Sequence, residues 1–301
     1  MFTNKLFDLE DFSVIPRLEV GRRCAFAYAG KVSTDLEPRL VACKESKHLD
    51  MAAREVGISG VIVPAKLEAR VPKSFGYALC EDPVRALNDI QAFLSDPESG
   101  QWKSFPSRIH PKATIMAGAY VAPDEVVIEK NVTVFPNAVI LPRSIVGEGS
   151  TIGAGTIVGT NAFEVDVTAE PRRIVSQSGG VLIGNHVDIQ AKCTIVRATF
   201  GGFTEIGDET KFDCQVHFAH DCRTERRVRI AACAELSGRV TVGENTFIGP
   251  NASISNGINI GRNSHVTIGS VVTRDVDDDT QVTGNFAITH RKWLKFLRSI
   301  R

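Results

Sequence analysis

A chain of 301 residues with 43 % hydrophobic content can bury one large core or two ordinary ones. Lys plus Arg and Asp plus Glu both number 35, so the formal charge is zero and no global field draws the chain to nucleic acid. The seven cysteines (Cys24, Cys43, Cys80, Cys193, Cys214, Cys222 and Cys233) are odd in number and form no CxxC, which argues against a disulfide framework or a zinc knuckle. They read as reduced, mostly packed thiols. The opening MFTNKLFDLEDF lacks an apolar leader and no apolar run is long enough to span a bilayer, so the expectation is a cytoplasmic protein without a transmembrane segment.

Residues 1–100 read as a small α/β domain. Val14–Val20, Leu40–Cys43 and the apolar run at 57–65 are expected strands. Segments 46–56 and 82–96 have amphipathic helical spacing, the second with Asp82 as its N-cap. A Ser-, Pro- and Gly-containing stretch at 95–107 is the expected linker.

From residue 108 to about 275 the period becomes six. Aliphatic positions recur at Ile109, Ile115 and Val121, from Ile128 to Val158, and from Ile183 to Ile195. Twelve successive positions from Ile206 to Val272 then keep one frame, with Thr224 the sole polar member. Spacings of three and four would make a helix and simple alternation a strand, whereas a strict six requires a turn every six residues. Three such sides close a triangular coil, and stacked coils pool their inward side chains into one core. Gly, Asn, Asp and Pro after the aliphatic position, as in VGEGST and IGPNAS, are read as the φ-tolerant corners. The frame breaks at 160–182, an expected excursion, and around Ala198–Glu205, an expected bulge. Residues 276–301 leave the coil, and 289–301 form a basic amphipathic helix read as a cap on the last coil or a docking surface for an acidic partner.

The repeat resembles the hexapeptide-repeat acyltransferases, whose left-handed parallel β-helices assemble as homotrimers with active sites between subunits. Within it, HFAHDC (217–222) resembles a segment of the O-acyltransferase that begins lipid A synthesis, and KFDCQVHFAH (211–220) resembles the KIDNxVQIGH segment of the UDP-3-O-acylglucosamine N-acyltransferases. Both resemblances place the general base on His220. The N-terminal domain, IHPKATI at 109–115, TNAF at 160–163, and the run RRIVSQSGGVLIG are similar to the N-acyltransferase pattern. That similarity implies substrate-binding roles for Asn161, Phe163, Gln177, Arg197, Asp213 and Gln215. It implies an acyl carrier protein or coenzyme A thioester as cosubstrate with no tightly bound cofactor, and a nucleotide-linked amino sugar as acceptor. Departures from that pattern are Ala42 and His48 in place of its base-stacking aromatics, Val196 in its IDR motif and Gly257 in place of its second histidine, and Arg239 stands where the O-acyltransferase has the histidine that follows the coil glycine.

An acyl thioester is already activated, so the chemistry asks for a base, a place for both substrates and an oxyanion donor. Histidine titrates near neutrality and suits the first role. Gly238 lies eighteen residues past His220, three sides of six and so one coil above, and its backbone N–H is the oxyanion candidate. A corner glycine with no such role is the plain alternative. His217 and Arg239 are placed at the substrate, and Arg226, Arg227 and Arg229 face the phosphates of a pantetheine carrier or simply solvent. Asp221 is a candidate to hydrogen-bond or orient a neighbour, but it is expected to point away from His220, as adjacent strand residues do. Competing readings are an acyl-CoA-dependent enzyme acting on another nucleotide-linked amino sugar of a surface glycan, a zinc site of the γ-carbonic-anhydrase kind, for which the histidine spacing is wrong, and a non-catalytic structural β-helix.

Overall fold

The computed structural model describes residues 3, 5–34, 36–284 and 287–300. Two-thirds of the chain is a left-handed parallel β-helix built of three parallel sheets. The first face begins at Arg108–Ile109, the second at Thr114–Ile115 and the third at Tyr120–Val121, and the chain visits them in that order. One coil takes eighteen residues: Phe218 lies beneath Leu236 and Leu236 beneath Ile254. The inward positions from Ile128 to Val272 are buried, Thr224 included, and their aliphatic members form one continuous core. Within it the Phe212 and Phe218 rings meet edge to face at 5.3 Å. Only the first coil is frayed, with Ile109 44 % exposed. We expect Phe218→Ala to lower unfolding free energy by about 3–5 kcal/mol, measured by denaturant titration, because neighbouring coils cannot collapse onto the void without breaking their ladders.

The corners hold the expected φ-tolerant residues, with left-handed backbone at Gly149, Gly155, Asn245, Asn251 and Asn263, and they add a second use of glycine. The glycine one place past the inward residue is needed for room: a Cβ on Gly153 would come within 2.4 Å of the Gln190 backbone in the next coil. The left-handed backbone sits two places later, at Asn137 (φ 60°), Asp221 (φ 59°), Arg239 (φ 63°) and their equivalents. Asn and Asp tolerate that region through local side-chain bonding, and the regular stack carries even Arg and Gln there.

Both breaks in the period fall on one edge, where the third face turns into the first. Val146 pairs with Ile183, thirty-seven residues on, nineteen more than a coil. These extra residues leave after the Ile157–Thr160 strand and form a short antiparallel hairpin, Val165–Asp166 with Arg173–Ile174. Ile183 pairs with Ile206, twenty-three on, so a bulge of five residues occupies the same edge one coil later.

The N-terminal unit is a five-stranded sheet of β1 (Glu19–Arg22), β2 (Tyr28–Gly30), β3 (Arg39–Ala42), β4 (Ile58–Val63) and β5 (Gly76–Leu79), in the order β1-β5-β4-β3-β2. All pairs are parallel except β1 with β5. Helices α1 (Ser46–Ala52) and α2 (Pro83–Ser95) flank it, and Asp82 caps α2 by accepting from the Arg85 N–H. The expected strand at 14–20 is instead irregular chain after a 3-10 turn at Leu9–Phe12, and β1 starts at Glu19. Phe12 and Leu18 are spent on packing against Phe7 and Phe26.

The 95–107 segment is not a loose linker. Ser99, Gln101 and Trp102 are buried, and Gln101 Nε2 donates to the Ala27 carbonyl at 2.8 Å. Phe200 of the coil bulge inserts into the N-terminal core, so the two units share packing. Helix α3 (His290–Ser299) buries none of its side chains, and Trp293 and Phe296 are half exposed. Among the described residues it covers nothing as a cap.

All seven cysteines are free. Burial pushes the Cys222 and Cys43 thiols up to about 12 and Cys193 and Cys24 up to about 11, which keeps them protonated and unreactive. Cys214 and Cys24 are partly exposed and Cys233 is exposed, while the other four are buried, so the thiols are mostly packed as expected. No helix among the described residues is long and apolar enough to cross a membrane.

Candidate functional site

The edge that carries both chain excursions also carries His220. Phe218 ends the third face, and the chain turns into the first face at Arg223–Thr224, so His220 stands in the corner itself. Gly238 occupies the same corner one coil above. A Cβ there would lie 2.4 Å from His220 Nε2, so the imidazole fills the space that the missing side chain leaves. The Gly238 N–H donates to no acceptor within the described residues, while the next amide, Arg239 N–H, returns to the His220 carbonyl at 2.9 Å. A free donor thus stands beside Nε2.

The other ring nitrogen is held. His220 Nδ1 lies 2.7 Å from Asp221 Oδ2 and 3.3 Å from Thr199 Oγ1. The expectation that Asp221 points away is wrong because Asp221 is not strand backbone. Its left-handed φ of 59° reverses the usual alternation and returns the carboxylate to its neighbour. The Asp221 N–H donates to Thr204 Oγ1 at 2.9 Å, which fixes the corner from the coil below. An ionised carboxylate only accepts, so the tautomer it favours is Nδ1–H with the lone pair on Nε2, as a base requires. The His220 side chain is 12 % exposed. Thr199 is the residue that sequence reasoning missed, and Asp221 the one to which it gave too little weight. The out-of-frame bulge at 198–205 and the left-handed corner were the available signals.

The remaining candidates divide. Arg239 lies on the site's flank, lining a recess of about 90 Å³ with Thr34, Gly202 and Asp221. His217 sits on the outer surface of the third face, between Thr194 below and Glu235 above. Arg197 donates to the Gly159 and Pro142 carbonyls at 2.7 and 3.3 Å, and burial, with nearby Arg143, lowers it to about 10. Gln177 is turned inward, bonding both the N–H and the carbonyl of Ala162, which ties the base of the excursion together. Asn161 is exposed and Phe163 is 89 % exposed at the same edge. Asp213 and Gln215 stand at a different corner, between the second and third faces. Arg226 and Arg227 are at the third corner, ion-paired with Glu209 and Glu244, and Arg229 lies over the Phe247 ring. Within one chain none of these five reaches His220.

A cavity of about 380 Å³ opens between the carboxyl ends of β2 and β3, helix α2 and the excursion hairpin. That is where open parallel sheets hold ligands. Ala42 and His48 both line it, with Met51, Leu87, Val167 and Phe200, and the Lys31–Glu164 ion pair at 2.9 Å joins its two sides. Among the described residues no group of three or more His, Cys, Asp or Glu is arranged to hold a metal ion.

Two family models match the coil. Residues 125–160 match the bacterial transferase hexapeptide (six repeats) and 239–274 the hexapeptide repeat of succinyl-transferase. The chain is 33 % identical over 120 residues to the UDP-3-O-acylglucosamine N-acyltransferase of Bordetella parapertussis, covering 40 % of this chain and 33 % of that protein. It is 34 % identical over 110 residues to the acyl-[acyl-carrier-protein]–UDP-N-acetylglucosamine O-acyltransferase of Alkalilimnicola ehrlichii, covering 36 % and 43 %. The chain thus spans about a third of the length of the N-acyltransferases it matches. Among solved structures it is similar to a UDP-N-acetylglucosamine acyltransferase from Bacteroides fragilis 9343, at 21 % identity, 64 % and 76 % coverage and a TM-score of 0.45.

Proposed function

We propose that the chain is an N-acyltransferase that moves an acyl group from a thioester, carried by acyl carrier protein or coenzyme A, to the amine of a nucleotide-linked amino sugar in lipid A-type synthesis. The observation that carries this reading is His220 itself: one ring nitrogen anchored on Asp221, the other free and beside an unused backbone donor at Gly238.

Nε2 removes a proton as the acceptor nitrogen attacks the thioester carbonyl. The C–N bond forms while the carbonyl electrons move onto oxygen, and the Gly238 N–H donates to that oxyanion. Collapse of the intermediate breaks the C–S bond, and the imidazolium returns its proton to the departing thiolate. Asp221 steadies the imidazolium between the two transfers. No bound cofactor enters the scheme; the thioester is a cosubstrate.

The relatives' names support the reaction class, and the 380 Å³ cavity beside the excursion suits the nucleotide end of the acceptor. Its wall presents Ala42 and His48 at the two positions where the N-acyltransferase pattern has stacking aromatics, with Phe200 also lining it. This favours as second reading an acyl-CoA-dependent enzyme for a different nucleotide-linked amino sugar. The assembly we propose is a cytoplasmic homotrimer, since Asp213, Gln215 and Arg226, Arg227 and Arg229 meet the His220 edge only if another copy supplies them.

The test is mass spectrometry of products after offering UDP- and dTDP-amino sugars with acyl-carrier-protein and coenzyme A thioesters. The expected product is the sugar nucleotide heavier by one acyl group and stable to hydroxylamine, as an amide is. Thiol release without sugar modification would overturn the acceptor assignment.

A further inference from the structure

We propose that Thr199 is a positioning residue for the general base, held in register by Gln91 of the N-terminal unit; this rests on the reading of His220 as that base. Thr199 belongs to the five-residue bulge and is 1 % exposed, yet each of its polar groups is used. Its N–H donates to Asp221 Oδ1 at 3.2 Å and its hydroxyl to Asp221 Oδ2 at 3.2 Å. The carboxylate is thereby gripped on both oxygens and has one orientation left, with Oδ2 on His220 Nδ1. The hydroxyl oxygen, 3.3 Å from Nδ1, keeps its lone pairs toward the same ring nitrogen. A single hydroxyl therefore touches both members of the pair.

The Thr199 carbonyl explains how the bulge keeps its place. It accepts from Gln91 Nε2 at 3.1 Å and from the Ser178 N–H at 3.1 Å. Gln91 is fully buried on α2, and the same amide nitrogen also donates to Ser178 Oγ at 3.0 Å. Ser178 is in turn fixed through its carbonyl by Arg143, whose guanidinium lies over the Trp102 ring. The next residue along the bulge, Phe200, is anchored in the N-terminal core. An unanchored five-residue bulge with two adjacent glycines would sample many conformations. Here the α2 amide and the Phe200 ring clamp it on either side of Thr199. The N-terminal unit thus reaches the imidazole in three hydrogen bonds, Gln91 to Thr199 to Asp221 to His220, without touching it.

The experiment compares Thr199→Val, Thr199→Ala and Thr199→Ser in the full chain. We expect Val and Ala to lower kcat about tenfold or more, with KM for the acceptor changed less than about twofold, since orientation of the base is lost and substrate contacts are not. Thr199→Ser restores the hydroxyl and returns kcat to within about twofold of wild type. Nitrogen NMR of the His220 ring reads the arrangement without turnover: Nδ1–H is the single tautomer in wild type and Ser, and a mixture appears in Val and Ala. Unchanged kcat and an unchanged tautomer in Val and Ala would overturn the proposal, as would a Ser variant no better than Ala. If no acceptor is acylated by the wild-type chain, the functional reading falls while the tautomer comparison still decides the role of Thr199.

Discussion

Replacing His220 with alanine should reduce acyl transfer by on the order of 10²–10⁴-fold, the usual contribution of a positioned base. The loss should fall on kcat, because the imidazole edge is 12 % exposed and offers the substrates little contact area. Fold and assembly should survive. His220 is a corner residue, whereas the core is made by Phe218 and its inward equivalents. Circular dichroism, light scattering and a turnover assay on one preparation check the three statements together. Full activity in this variant would leave the Asp221 and Gly238 geometry without a catalytic explanation.

Gly238→Ala should be nearly as damaging to activity and close to silent in stability. A single methyl group placed 2.4 Å from His220 Nε2 cannot coexist with the present imidazole position. The backbone is not the obstacle, since Gly238 is not among the residues with positive φ. The clash is with the far side of a side chain, which can rotate away, so unfolding free energy should change by no more than about 1 kcal/mol. Rotation takes Nε2 off the attacking amine and breaks the 2.7 Å contact with Asp221. Displacement of about an ångström at the reacting centre can cost roughly 10²-fold, and we expect a kcat loss of that order, checked alongside a denaturation curve. A variant with a lowered midpoint and a normal kcat per folded molecule would make Gly238 a structural corner only.

The pairing of these two outcomes bears on why the site is where it is. A β-helix stacks like corners on like, so in an uninterrupted coil a residue is neighboured by its equivalent eighteen residues on. Putting a large polar ring in one corner requires an empty corner above it, and glycine supplies that. The two excursions leave the same edge in the coils below. The second of them brings Thr199 against His220, and the N-terminal unit packs on that bulge through Phe200.

Much of this was legible in the amino-acid order. The six-residue frame, the burial of nearly every position in it, the excursion and the bulge followed from counting, because a solenoid repeats one local geometry and each coil sees the same neighbours. The stacking of Gly238 on His220 followed from the same count. The N-terminal helices were readable from spacing and from the Asp82 cap. The strand expected at 14–20 was not, since Leu18 serves a core that the local pattern cannot reveal while Val14 is exposed. Nor was the packed state of 95–107, where Gln101 and Trp102 are buried by partners more than seventy residues away and by the coil itself.

His220 as a corner residue with Gly238 above it belongs to the sequence alone: periodicity sets which residue turns outward at which coil. What only the tertiary structure decided is what holds that histidine. Asp221 reaches it because a left-handed corner overrides strand alternation, Thr199 because a bulge outside the period folds back onto the corner, and Gln91 because a helix from another unit packs against that bulge. Thr199 and Gln91 lie outside the repeat, whereas Asp221 uses a corner that the repeat itself supplies. Hydrogen bonds between segments so far apart in the chain are set by how the units pack, which the six-residue frame does not encode.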